Sequence, residues 1–427
     1  MTQSLSFQQV VQLIDGRGIM PKTPPSIART VAALEQLDLR YPGDLRRVIV
    51  VAGTNGKGTT SKSLATMLRR QGHKVGFYCS PHLVSPVERI QVNDEPISEA
   101  LFVELFQEID ALTGSLNLTH FETLTAMMAR LFFYRDPVDY AILEVGLGGL
   151  FDSTNAVPHQ TCVITKLGLD HEDILGAGLP AIAEQKFGII QAGAQVFHLP
   201  FSSEIDEVVR SFQKRLPDVS WSMPPAHTCS VKMMSNEPKY FLNSAWGSTP
   251  ISLLGERAAE NMNLALHTLA GLGENVESAL PVLAEVRWPG RMQKIQCSEL
   301  AAPLYLSGDH NLQGVLSLRE IVAQFSYERL WLVIGVGEKK DAAAMLNELA
   351  KIPRVEFFGV SGFFRARTTI DLKTLLPAGS LIFENIQNAL DSLKGKTSKG
   401  DLVLISGSLY LVGETLKRLS EASAFQP

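Results

Sequence analysis

A lysine and two threonines stand in a glycine-rich turn, Gly53-Thr54-Asn55-Gly56-Lys57-Gly58-Thr59. The turn follows the β-branched run Val48-Ile49-Val50-Val51 and precedes a Leu/Ala/Met pattern that predicts a helix over 60–71. Glycines let backbone amides point at phosphate oxygens, and a helix N-terminus adds its positive dipole end. Lys57 can hold terminal phosphates, and Thr59 is placed like a hydroxyl that meets Mg²⁺. The chemistry is that of a nucleoside triphosphate. The spacing is shorter than G-x-x-x-x-G-K-[ST], and a strand-to-helix turn without ligand is the other reading of the same residues.

Three further groups could act beside it. Glu144 ends a predicted strand, 139–145, where parallel sheets gather their ligands; it reads as a magnesium ligand or a solvated acid. His171 follows the strand 161–167, and a single histidine is more often structural than a ligand. Lys186 lies late on an apolar helix expected to open at Pro180, and by itself is a surface lysine. His120-Phe121-Glu122-Thr123 reads as an acidic N-terminal helix turn. Arg291, in Trp-Pro-Gly-Arg, marks a domain junction where a guanidinium could reach phosphates once domains close.

The elements that must position these groups alternate. The first 45 residues are mostly helical, broken by a loop at Pro24 and Pro25. Strands are expected at 48–52, 74–80, 139–145, 161–167 and 194–200, with helices at 60–71, 99–113, 121–134 and 202–216. Strands separated by helices imply a parallel sheet covered on both faces. Residues 219–253 break the rhythm and read as a small antiparallel patch. Helices follow at 258–271 and 276–285. After 286–293 a second alternating series begins, with strands LYLS, RLWLVIGV, VEFFGV, SLIFE and DLVLISG and helices opening near Asn311, Asp341, Thr369 and Asn385.

A chain of 427 residues exceeds one core and suits two domains. Its net charge of −5 gives no general attraction for nucleic acid or anionic lipid. No apolar run reaches the eighteen or so residues that cross a bilayer, and no basic-then-apolar leader opens the chain. Cys79, Cys162, Cys229 and Cys297 form no CxxC pair, so a cytoplasmic setting is expected, without disulfides or zinc.

The turn GTNGKGTT resembles the ATP loop of the Mur ligase superfamily, and its GKG form is similar to the folate branch, folylpolyglutamate synthase and dihydrofolate synthase. SPHLVSPVERI at 80–90, EVGLGGLFDSTN, GLDHEDILG, WPGRMQ and SGSLYLVGE have counterparts in matching order, over about residues 45–415. The resemblance implies an α/β fold: an N-terminal P-loop-type parallel-sheet ATPase domain with a folate site, 1–287, and a smaller Rossmann-like glutamate-ligase domain, 288–427. It implies ATP bound by Gly53 to Thr59, Asn261 and Arg291, and two magnesium ions held by Thr59, Ser80, Glu144 and His171. Lys186 matches a lysine that carries a carbamate in that family; burial near cations would free its amine for CO₂. Lys57, His171 and Lys186 are the implied catalytic groups.

His120, Phe121, Glu122, Thr123, Phe151, Asp152 and Ser153 are implied at the pterin. The expected partners are dihydropteroate, reduced folates and L-glutamate, with no nucleic acid or membrane, and a monomer. The chain departs from the family pattern at Leu150 (usually Arg), Gln185 (usually Glu), Arg257-Ala258 (usually His-Gln) and Ser307-Gly308-Asp309 (usually Asp-Gly-Ala). Three alternatives stand beside this reading: a Mur-type ligase acting on a UDP-sugar peptide, a nucleotide-dependent switch, and a folate binder without turnover.

Overall fold

The computed structural model describes residues 5–18, 26–234 and 237–421. The loop expected at Pro24 and Pro25 lies outside them. Contacts divide the chain into two compact units: residues 1–227, 244–247 and 260–283 form the first, and residues 228–243, 248–259 and 284–427 form the second.

The first unit is built on eight strands: β1 Val48–Ala52, β2 Val75–Tyr78, β3 Ile90–Val92, β4 Glu95–Pro96, β5 Tyr140–Glu144, β6 Thr161–Ile164, β7 Gln195–His198 and β8 Ser220–Ser222. Their order is β4-β3-β2-β5-β1-β6-β7-β8. Strands β1 and β5 are buried at every position. Such uninterrupted apolar runs belong in a parallel sheet covered on both faces, and β1 pairs parallel with β5 on one side and β6 on the other. Helix Lys57–Arg70 packs on β1, β2 and β5, and helices Phe7–Gly16, Ala28–Glu35, Glu99–Thr113 and His120–Arg130 pack on one another.

The expected parallel sheet forms over β2, β5, β1, β6, β7 and β8, and it is mixed at one edge. Strands β3 and β4 form an antiparallel hairpin on one edge. Asn93 and Asp94 turn it with φ +54° and +69°, the left-handed geometry a two-residue hairpin turn requires. Helix 178–187 begins at Gly178, ahead of Pro180. The helix expected over 121–134 ends at Arg130 and continues as a wider π turn, Leu131–Arg135. The helix expected over 276–285 is a single α turn, Val276–Ala279, followed by a 3₁₀ segment, Leu280–Ala284.

Strands β9 Thr228–Met234, β10 Glu237–Ser244 and β11 Gly247–Ile251 make the expected antiparallel patch. The second unit holds β12 Gln293–Ile295, β13 Leu304–Ser307, β14 Leu330–Ile334, β15 Val355–Val360, β16 Leu381–Phe383 and β17 Leu402–Ser406, in the order β12-β13-β17-β14-β15-β16. All pairs are parallel except β12 with β13. Asn311, Asp341 and Asn385 cap the intervening helices, each side chain accepting a backbone N–H three residues on. The core lies among Val315, Leu318, Leu332, Ile334, Leu346 and Leu404.

Candidate active site

The end of β1 delivers the chain into the glycine turn, and neighbouring elements press on it where no side chain would fit. A Cβ on Gly53 would lie 1.9 Å from Thr165 Oγ1, and one on Gly56, at φ +93°, would lie 2.2 Å from Asn261 Oδ1. The amides of Thr54 and Asn55 donate to the Lys166 carbonyl at 2.9 and 3.3 Å, and Thr54 Oγ1 donates to Gly168 O at 2.9 Å. The loop is strapped to the segment that follows β6. Helix Lys57–Arg70 then starts at the residue expected to meet phosphate, with Gly58 and Thr59 buried in its first turn. Asn261, on helix Glu256–Gly271, stands 3.4 Å from Thr60 Oγ1.

Lys57 Nζ donates to Gly53 O at 3.1 Å, and Lys186 Nζ donates to the same carbonyl at 3.0 Å. Lys186 is therefore no surface lysine; it is 5% exposed. Burial pulls its pKa down, the positive charge of Lys57 adds to the effect, and Asp170 and Asp152 oppose it, leaving it at about 7. An amine in that state is neutral about half the time near neutral pH.

Glu144 closes β5, the strand beside β1, and is 5% exposed. The Ser80 amide approaches its Oε2 at 3.4 Å. A buried carboxylate beside a serine and next to the phosphate turn suits a hard divalent cation. Among the described residues no group of three or more His, Cys, Asp or Glu is arranged around a metal. A cation here would draw its remaining ligands from hydroxyls, phosphate oxygens and water. His171 lies on the loop after β6 at φ +57°, its side chain 44% exposed.

The residues expected at the pterin divide into two kinds. Thr119 caps helix His120–Arg130, and the Glu122 carboxylate answers it by accepting the Thr119 amide at 2.7 Å. Arg29 reaches Glu122 Oε1 at 3.1 Å. Thr123 Oγ1 accepts from Arg17 Nη1 at 3.0 Å and donates to Thr119 O at 2.8 Å. These two side chains hold the helix start in place. His120 faces Asp15, Nδ1 to Oδ1 3.2 Å; burial first, then the charge of Arg89, keeps its pKa below the usual range. The Phe121 ring covers Gly146, where a Cβ would come within 2.8 Å of it, and lies 5.7 Å from the Tyr78 ring.

Asp152 organises the loop after β5. Its carboxylate accepts from the amides of Gly146, Leu147 and Thr154, each at 3.0 Å, and from Thr154 Oγ1 at 2.6 Å. Phe151 is exposed and Ser153 buried. Thus 120–123 and 151–153 meet around Gly146, two residues past Glu144. Arg291 belongs to the second unit. Sequence reasoning missed Thr165, which shapes the phosphate turn, and Arg29, whose partner is 93 residues away. Neither carries a local signal.

A glycine turn between a buried parallel strand and a helix, with two lysines on one loop carbonyl and a buried acid on the adjoining strand, defines a P-loop-type nucleotide-binding α/β protein. The family follows from the comparisons. Residues 290–409 match the family model "Mur ligase, glutamate ligase domain". The chain is 32% identical over 434 residues to the dihydrofolate synthase/folylpolyglutamate synthase of Bacillus subtilis, covering 97% of this chain and 99% of that one. Its fold is similar to that of Mycobacterium tuberculosis folylpolyglutamate synthase complexed with ADP, with a TM-score of 0.84 at 26% identity over 99% of this chain and 98% of that one. It is likewise similar to a bifunctional folylpolyglutamate synthase/dihydrofolate synthase with Mn, AMPPNP and L-glutamate bound, with a TM-score of 0.81 at 25% identity over 98% of this chain and 100% of that one. The chain belongs to the folylpolyglutamate synthase/dihydrofolate synthase family of the Mur ligase superfamily.

Proposed function

We propose that this protein is an ATP-dependent carboxylate–amine ligase that adds L-glutamate to dihydropteroate, giving dihydrofolate, and to reduced folates, giving polyglutamates. The observation that carries the reading is the meeting of Lys57 and Lys186 on the Gly53 carbonyl, beside Glu144. Family membership supplies the reaction class.

The acceptor carboxylate attacks the terminal phosphorus of ATP, and the bond to ADP breaks, giving an acyl phosphate. The amino group of L-glutamate then attacks the acyl carbon. The amide bond forms, phosphate leaves, and the amine loses its proton. The Gly53–Thr59 amides and Lys57 bind and orient the phosphates, placing the terminal one for attack. Asn261 and Arg291 complete the nucleotide contacts. Thr59, Ser80, Glu144 and His171 would hold magnesium, in two ions. When bound, magnesium supplies positive charge that offsets phosphate repulsion of the incoming carboxylate.

The neutral amine of Lys186 is suited to add CO₂, forming an N–C bond and releasing a proton; the resulting carbamate is an anion near Lys57. Phe121, His120 and Phe151 offer the ring-binding surface for the pterin, with Ser153 beside it. Glu122, Thr123 and Asp152 hold the segments that carry them. The functional division is placed at 287/288, with ATP and the acceptor on 1–287 and the glutamate-ligase domain on 288–427. The proposed protein is a monomer in the cytoplasm, a reducing compartment in which the four free cysteines would stay unpaired.

One observation favours a narrower acceptor range. The loop from Gly146 to Ser153 carries no cation, and Leu150 is exposed where the family usually has arginine. ADP release with ATP, magnesium and L-glutamate decides between the readings, with dihydropteroate and tetrahydrofolate tested separately and the products weighed by mass spectrometry. Turnover with both is expected. Turnover with one restricts the enzyme to that acceptor. A folded, ATP-binding protein that turns over neither overturns the proposal.

A further inference from the structure

The loop from Ser80 to Arg89, between β2 and β3, carries an arginine without an acid. The loop begins at Ser80, whose amide approaches Glu144 Oε2 at 3.4 Å. It ends beside its own start, where the Cys79 amide donates to Arg89 O at 3.0 Å. Between these ends Glu88 holds it from within. The Glu88 carboxylate accepts the amides of Leu83 and Val84 at 2.8 Å and that of Ser85 at 2.6 Å.

Glu88 is thereby spent on backbone, and its neighbour Arg89 has no ion pair among the described residues. Arg89 Nε donates instead to His82 Nδ1 at 2.9 Å. A guanidinium N–H only donates, so His82 Nδ1 carries the lone pair and the ring proton sits on Nε2. Both side chains are half-buried. The Arg89 Nη groups and His82 Nε2–H thus offer donors, no acceptor, and one fixed positive charge. Such a set suits a carboxylate, which a guanidinium can take bidentately. The arginines that reach the start of helix His120–Arg130 are committed elsewhere, Arg17 to Asp110 and Arg29 to Glu122.

We propose that Arg89 and His82 bind the non-reacting carboxylate of a glutamate that the acceptor already carries, and so set the preference for folates over pteroates. This rests on the proposed ligase reading, in which the reacting carboxylate lies at the phosphates, beside Ser80 and Glu144. In a folate the reacting and non-reacting carboxylates belong to one glutamyl group, a short carbon chain apart. A pteroate has only the reacting one. Arg89 meets Cys79, the residue before Ser80, and so places its charge where the second carboxylate needs it. The loop from Gly146 to Ser153 supplies none, with leucine at position 150. The competing account is a brace, in which Arg89 merely props His82.

The matched ligands are tetrahydrofolate and tetrahydropteroate, which differ only by the glutamyl group. Binding of each to the full-length protein is measured by calorimetric titration, with magnesium and a non-hydrolysable ATP analogue present. The parent is compared with Arg89→Gln, Arg89→Lys and His82→Gln, with a melting curve for each. Arg89→Gln is expected to weaken tetrahydrofolate binding roughly 10-fold, near the low end for hydrogen bonds to a charged group because the site is half-buried. Tetrahydropteroate binding should change far less. Arg89→Lys should recover part of the loss. His82→Gln should act in the same direction by less, and it serves alone if Arg89→Gln does not fold.

Equal weakening of both ligands, or a fall in melting temperature alone, makes Arg89 a brace and overturns the inference. A parent that binds tetrahydrofolate no more tightly than tetrahydropteroate also overturns it, while turnover with dihydropteroate would keep the ligase reading standing. A folded, ATP-binding parent that neither binds nor turns over any of these acceptors overturns both.

Discussion

Lys57 and Lys186, 129 positions apart in the sequence, donate to one acceptor, the carbonyl of Gly53. Two ammonium groups on a single oxygen repel each other. Burial first, and then the positive charge of Lys57, draw the pKa of Lys186 down to about 7. In the proposed function these two identical side chains take different roles, Lys186 as a neutral amine and Lys57 as a cation for phosphate.

The first prediction concerns that amine. With a pKa of about 7, Lys186 is about one-tenth neutral at pH 6, so CO₂ capture should weaken as pH falls. Enzyme depleted of bicarbonate should lose activity most at pH 6 and regain it on adding bicarbonate. Labelled bicarbonate should give a carbamate ¹³C signal that Lys186→Arg abolishes; a parent protein without that signal, with ATP and magnesium bound, rules the modification out. The linkage sign is definite for the unmodified lysine. Its folded pKa lies below the unfolded value near 10.4, so the unfolded chain binds the extra proton between these limits, and stability rises with pH across them.

Lys57 should act on phosphates alone. A charge-assisted contact contributes about 1.5–3 kcal/mol, so Lys57→Met should lower kcat/KM for ATP by roughly 10- to 150-fold. Its melting temperature without nucleotide should not fall, because removing one of two like charges relieves Lys186. Steady-state kinetics and a thermal melt check both parts.

Gly56→Ala should weaken nucleotide binding, by at most roughly 5- to 150-fold if all of the strain falls on the bound state. The new methyl would meet Asn261 Oδ1 at 2.2 Å in a left-handed backbone, and the strain should cost about 1–3 kcal/mol. Calorimetric titration with ADP is the measurement; a variant that binds ADP like the parent would show that Asn261 moves freely.

Glu122→Gln is expected to be a stability variant. It removes the negative charge that faces Arg29, while the Gln side-chain oxygen can still accept the Thr119 amide of the capping box. A loss of about 1–3 kcal/mol is expected in urea unfolding, larger than any change in acceptor KM. The reverse pattern would put the Glu122 carboxylate on the substrate.

Legibility in the sequence followed range. The strand–turn–helix at 48–70, the buried strand ending in Glu144 and the caps Asn311, Asp341 and Asn385 are written in adjacent residues and were readable there. The β3–β4 hairpin has a weaker local signal: Asn93-Asp94 is a turn pair, but the strands it joins are only three and two residues long. What was not legible is pairing at a distance. Nothing local in Pro-Ala-Ile-Ala-Glu-Gln-Lys says that Lys186 is buried against a loop 133 residues earlier, or that Arg29 answers Glu122. Such contacts depend on sheet order, which places β6 and its following helix beside β1.

Helix Lys57–Arg70 is buried without interruption from Gly58 to Leu68, hydroxyls and Lys62 included. A segment enclosed on every side has no small opening motion through which solvent deuterium can enter. Its amides should exchange only as fast as the whole unit unfolds, and nucleotide should hardly slow them further. In the proposed function this helix is the floor of the phosphate site, finished before ATP arrives, so that binding free energy is not diverted into ordering it.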